Sequence, residues 1–426
     1  MKTVTGPREL LHGASWSVAA AVVARGANLA ALIACARLLP QEQFGQVGII
    51  QSTVGMFGPV AGLGLATSTT RFFAEFRTSN PQRAGRILAL SLVVAAAAGS
   101  VMMGALIAVA PWIAKRGLAS PELAGNLVIA SALILFGVVE AVQTGALIGL
   151  ESFSKVAKLS CWSGLLSIPV VALLTTRYGV PGAIAGLTAA SALACLLNWA
   201  ALRSECRRCS IPVSLAGATS EKRMLLSFSL PSYLSGLLVS PATWAASALL
   251  VNQPSGFTQM ALFSAADRFR YLLIFLPLAA SRIAIPALSR QRAAGDQRGF
   301  AATFRWTILF GLLTTAAPAL ACVALSSYLM GWFGADFRAG WVTLSVLAIS
   351  AIPTVINTQL GSALLSSDRA WTRMAADALL TVVLLAMAWI LIPRWGAVGL
   401  ATAFAAAYSV ACCMMAVCLR RPDANA

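Results

Sequence analysis

Residues 177–185 read RYGVPGAIA, and residues 394–402 read RWGAVGLAT. They align without a gap at a spacing of 217 residues, each with a basic residue, an aromatic and a glycine at the head of an apolar run. Upstream in the same register, ALIGLE (146–151) matches ALLSSD (363–368), an apolar stretch that closes on an acid. Agreement in one register predicts an internal duplication. Six apolar runs fall within one spacing. If each crosses a membrane, an even number returns the chain to its starting side. The two copies are then parallel repeats about an axis along the membrane normal, an arrangement that puts a substrate path between the halves.

Composition supplies the membrane. Of 426 residues, 59% are hydrophobic and 11% charged, against about 25% charged in ordinary soluble domains. Mean hydropathy is +0.81. A hydrocarbon core of ~30 Å needs about 20 apolar helical residues. Runs of that kind predict spans at 13–36, 43–64, 87–110, 123–149, 159–176, 180–201, 225–250, 257–286, 306–330, 341–365, 374–393 and 396–419. The halves are expected at 1–205 and 222–426, joined by a cytoplasmic linker at 206–221. Most of the 31 lysines and arginines then fall on one side. The opposite loops hold only Arg37, Lys115, Arg116, Arg177, Arg338 and Arg394. The positive-inside rule puts both termini in the cytoplasm. The expected fold is an all-α polytopic membrane protein: twelve transmembrane helices as two parallel six-helix repeats around a central cavity, N-in and C-in.

Several function classes drop out. The net charge of +17 would suit nucleic acid, but the cytoplasmic loops account for it, and they can lean on anionic lipid head groups. With one histidine in the chain, His12, serine and cysteine triads lack material. No P-loop, G-x-S-x-G or G-x-G-x-x-G occurs. The chain reads as no enzyme, without cofactor, and transport would run on a gradient, of protons or of sodium. Cys206 and Cys209 form a C-x-x-C, half of what a structural zinc site requires, and are expected as free thiols. ACA at 34–36 mimics a signal-peptide cleavage site, but the apolar run before it exceeds the usual 7–15 residues and holds Arg25, so a retained first helix is expected. Prolines 231, 241, 277 and 286 should bend their spans. GPVAG (58–62), GALIG (145–149) and GAIAG (182–186) permit close helix contact.

The charges inside spans are the functional candidates. A charge at bilayer depth costs roughly 2.5–3.5 kcal/mol, yet SAADRFRYLLIF (264–275) holds Asp267, Arg268 and Arg270. On a helical wheel Asp267, Arg270, Tyr271 and Arg282 share a stripe, while Arg268 points ~100° away. Asp267 and Arg270 are an i,i+3 pair. In the first span Arg25 lies near mid-membrane, one turn from Asn28. Glu140 and Asp377 are further acids within spans, and Asp377 can pair with Arg373. Two readings stand: structural ion pairs, or a water-filled cationic cavity whose arginines take an anion. Guanidinium suits phosphate, because its planar fork makes two charge-assisted bonds and stays protonated.

GASWSVAAAVVARGANLAALIACARLLPQEQFGQVGIIQS (13–52), continued by GLGLATSTTRFFAE (62–75), resembles the start of Wzx-type polysaccharide flippases of the multidrug/oligosaccharidyl-lipid/polysaccharide exporter superfamily. ARLLPQEQFG is its most specific piece, and GLESF (149–153) fits the pattern. The resemblance implies a multi-pass protein of the bacterial inner (cytoplasmic) membrane. It would flip undecaprenyl-pyrophosphate-linked oligosaccharide by alternating access, for O-antigen, capsule or exopolysaccharide. Expected partners are the lipid-linked oligosaccharide, membrane lipids, a polysaccharide polymerase and other glycan assembly proteins, with no nucleic acid. The resemblance makes Arg25, Arg268 and Arg270 candidate substrate-binding residues, and Arg282, on the stripe of Arg270, joins them. Asp267, Glu140, Asp377, Asn28 and Tyr271 are supporting or ion-coupling candidates. The alternatives are an ion-coupled drug or metabolite exporter of the same architecture, or a non-transporting component of a glycan synthesis complex.

Overall fold

The computed structural model describes residues 23, 25–62, 64–217, 222–294, 296–366 and 369–420, with the side chains of 222–236, 282–287, 289, 293, 370 and 420 outside that description. The described residues form helices and turns, with no strand among them. The helices are α1 (25–38), α2 (Gln41–Gly62), α3 (Leu65–Ser79), α4 (Pro81–Trp112), α5 (Ala124–Gly149), α6 (Phe153–Arg208), α7 (Lys222–Val251), α8 (Gly256–Ala293), α9 (Gln297–Ala324), the short α10 (Ser326–Met330), α11 (Trp341–Ser366) and α12 (Ala370–Arg420). Among the described residues six helices are long and apolar enough to cross a membrane, or seven if the bent pair α2–α3 is one span.

Two of the six are each longer than a membrane is thick. The 56-residue α6 breaks at Gly179 (φ 63, ψ −134), and the 51-residue α12 breaks at Gly396 (φ 53, ψ −124). Positive φ with such a ψ is open to glycine and strained for other residues. Past Gly179 the chain folds back on itself: a Cβ at Gly182 would overlap the Leu174 carbonyl, and one at Gly186 would press on the Val171 backbone. In α12, Gly399 stands in the same relation to the Leu391 carbonyl. The two breaks are separated by the spacing read from the sequence, as are the starts of α6 and α12. So are the starts of α5 and α11, each 26 residues long.

The described chain groups into two compact units. One comprises residues 1–39 and 53–236, the other 40–52 and 237–426. Helix α2 thus contributes its first half to one unit and its second half to the other.

In the first unit the expected connection after residue 64 is in fact helical. Leu65, Phe72 and Phe73 of α3 are buried; Phe73 packs with Ala146 and Leu147 of α5, and Phe72 with Ile87 and Leu90 of α4. Thr70 Oγ1 donates to the Gly145 carbonyl at 2.9 Å, and Gly145 and Gly149 lack the side chains that would push α3 away. Helix α4 starts earlier than expected, because Pro81 sits in its first turn and the Asn80 side chain accepts from the Arg83 N–H at 3.0 Å. Those are strong helix-start features. Helix α6 runs into the expected linker as far as Arg208. Just beyond it Ile211 is buried among Phe73, Leu88 and Leu202, while Gly85 leaves room for the Pro212 carbonyl.

Large apolar side chains face outward, among them Leu173, Leu196, Leu313, Leu320 and Trp389, while Thr53, Ser91, Thr315 and Ser350 are buried. Lipid accepts such a surface. Ser350 Oγ donates back to the Leu347 carbonyl of its own helix at 2.7 Å, whereas the Ser91 and Thr315 hydroxyls have no hydrogen bond among the described residues.

Candidate functional site

The second unit holds the charge cluster of α8. Arg270 Nε donates to Asp267 Oδ1 at 2.7 Å. The guanidinium carbon lies 5.2 Å from the ring centroids of both Tyr271 and Phe404 of α12. Phe404 is itself flanked by Phe263 and Tyr408. Arg270 is 4% exposed, so its charge is met by one carboxylate and two π faces. Tyr271 is exposed and Asp267 half-buried. The stripe expected from the wheel therefore divides: the ion pair is enclosed and the phenol stands outside.

Arg268 turns the other way. Its Nη2 donates to Gln51 Oε1 of α2, and among the described residues no carboxylate pairs with it. The close approach behind this bond comes from two glycines. A Cβ at Gly45 would overlap the Phe257 carbonyl, and one at Gly48 would overlap the Ser264 side chain. Phe44 anchors the same stretch, its ring 6.0 Å from Phe333 and 5.6 Å from Phe337.

The pair expected at Asp377 forms: Arg373 Nε donates to Asp377 Oδ2 at 2.9 Å, and Arg373 Nη1 donates to the Asn357 carbonyl at 3.1 Å. The guanidinium lies where a Gly361 side chain would be. The side chain of Arg282 lies outside the described residues.

In the first unit Arg25 and Asn28 are exposed on α1. Glu140 of α5 is half-buried and has no ion pair among the described residues. Near it Gln143 is 2% exposed, and its Oε1 is without a hydrogen bond among the described residues. A cavity of about 200 Å³ lies on another face of α5, lined by Pro59, Gly62, Gly64, Ala66, Val138, Ala141 and Val142. The expected contact motif GPVAG therefore borders open space, and neither Gly58 nor Gly62 meets a neighbour. GALIG and GAIAG do mediate close contacts.

Sequence reasoning missed three groups. Gln51 holds Arg268 and Asn357 holds Arg373. Buried Glu205 takes both Lys155 and Arg208, the latter at 2.8 Å, clamping the first and last turns of α6 together. The spacing of the duplication could have located Gln51, because that spacing also separates it from Arg268. Cys206 is buried, Cys209 is exposed, and both are free thiols.

The family model for "Polysaccharide biosynthesis protein" matches residues 10–291. The chain is similar to the EPS I polysaccharide export inner membrane protein EpsE of Ralstonia solanacearum, 24% identical over 96% of this chain and 94% of that protein. Among solved structures it is similar to the inward-facing conformation of a multidrug resistance MATE family transporter of the MOP superfamily. There the TM-score is 0.77 at 16% identity, covering 92% of this chain and 93% of that one. It is also similar to the lipid II flippase MurJ in an inward closed conformation, with TM-score 0.71 at 15% identity, covering 95% and 87%.

Proposed function

The chain belongs to the polysaccharide biosynthesis protein family, and from that premise we propose that it flips undecaprenyl-pyrophosphate-linked oligosaccharide repeat units across the inner membrane by alternating access. It is a multi-pass inner membrane protein of the transporter class and not an enzyme. The observation that carries the substrate reading is Arg268. It is a guanidinium on an apolar helix, held by a neutral amide and by no carboxylate among the described residues. A charge so placed marks a ligand path, and a phosphate matches its fork. Arg25, exposed on α1, supplies a second cation in the first half. Arg270, already neutralised, shapes the site and supports Tyr271 more than it offers a free charge. Asn28 and Arg282 remain further candidates.

The twelve-span, N-in and C-in arrangement in two parallel repeats is part of the same proposal. The equal lengths of α5 and α11 and the matched breaks at Gly179 and Gly396 support it. Each arm of α6 and α12 exceeds the ~20 residues a crossing needs.

Glu140 is the coupling acid in this reading. Asp267, Asp377 and Glu205 each have a cation against them. A carboxylate inside an apolar helix without one must take up a proton or a metal cation. The partners are the lipid-linked oligosaccharide and the polymerase that consumes it.

The test is removal of the protein from its cell. Lipid-linked repeat units should accumulate on the inner leaflet, measured by their resistance to a glycan-modifying enzyme supplied outside spheroplasts. Loss of drug resistance without accumulation would overturn the reading in favour of a drug exporter.

A further inference from the structure

The bond between Gln51 and Arg268 joins residues 217 apart. The same spacing separates the breaks at Gly179 and Gly396 and the starts of the paired helices. Gln51 and Arg268 are therefore the same position of the repeat. The position bonds to its own counterpart, and both partners lie in the second unit. Around it the first half of α2 is fitted to α8 by Gly45 and Gly48. One residue beyond Gln51, α2 passes from one compact unit to the other.

We propose that Gln51 is the positioning residue for Arg268: its amide clasps the guanidinium at the crossing of α2 and α8 and releases it to the substrate's diphosphate when this seam opens. The inference rests on the flippase reading for the identity of the incoming anion. The chemistry suits an exchange. One neutral oxygen keeps the guanidinium oriented without cancelling its charge, and a diphosphate outbids it with paired, charge-assisted bonds. Arg270 makes the contrast, since Asp267 holds it permanently.

The experiment measures two quantities on the full chain: the melting temperature of the purified protein without substrate, and glycan export in cells lacking the native copy. Gln51→Glu turns the clasp into an ion pair. Melting temperature should rise while export falls roughly fivefold or more at unchanged protein level, the opposite movement being the sign of a contact that must open. Arg268→Gln should lower both. The exchange Gln51→Arg with Arg268→Gln should restore the melting temperature and bring export back to within about twofold of wild type, because the same two positions are then joined by the same pair of groups. An exchange variant that melts no higher than Arg268→Gln overturns the clasp. So does a Gln51→Glu variant that is stabilised yet exports normally. The melting series involves no substrate, so it judges the clasp even if the accumulation assay rejects the flippase.

Discussion

Arg268 and Arg270 are two positions apart on α8 and have unlike surroundings, a bare amide for one and a carboxylate with two rings for the other. Arg270→Gln strands the Asp267 charge in a largely enclosed site. It should destabilise by roughly 3 kcal/mol or more, and adding Asp267→Asn should recover much of the loss, read as melting of the purified protein. Glu140→Gln mimics a carboxyl that never gives up its proton. Export should drop by about an order of magnitude, and vesicles should lose the response to an imposed proton or sodium gradient while protein level stays normal. The helical wheel made the divergence of the two arginines legible, since period alone sets direction. It could not show what each one meets. Helical period does not point to a glutamine on a distant helix, which only the spacing of the duplication marks, and Glu205 lay in a stretch read as the edge of a loop.

At the scale of elements, the two glycine breaks permit a comparison. Gly179→Ala meets no neighbour, so it carries only the strain of its φ, about 1–3 kcal/mol. Gly396→Ala adds a clash with the Gln259 side chain, whose Oε1 also accepts from the Ala397 N–H at 3.0 Å. Both variants should melt lower, and Gly396→Ala lower than Gly179→Ala. The glycines stood out in the sequence because RYG and RWG recur in register. That a single residue would suffice for the reversal was not legible, since hydropathy registers only the end of an apolar run. The α3 helix was overlooked for a related reason. Its buried stripe of Leu65, Phe72 and Phe73 is interrupted by Arg71, Glu75 and Arg77, and an apolar-window reading discards such a mixture. Of the three G-x-x-x-G motifs, two became contacts and one borders a cavity. Small residues permit approach, and the partner helix decides whether it happens.

For the whole molecule, the charge bias makes a claim that fusions can check. A periplasm-dependent phosphatase joined after Arg338 should be active, and one joined after Arg420 inactive. The reverse pattern would invert the proposed topology. The bias and the apolar runs were legible because the bilayer imposes length and charge rules that hold regardless of packing. The division of α2 between two units was not, because it depends on contacts with residues far along the chain.

That division bears on how the protein is made. The partners of Phe44 are Phe333 and Phe337, which leave the ribosome roughly 15–60 s later at about 5–20 residues per second. Until residues 257–264 emerge, the stretch from Pro40 to Ser52 has its glycine face unfilled, and until Phe333 and Phe337 follow, the Phe44 ring lacks its partners, while the first unit is built from chain made earlier. Shielding of this half-helix by an insertase or chaperone has a use only in that interval, which the arrival of residues 256–337 ends.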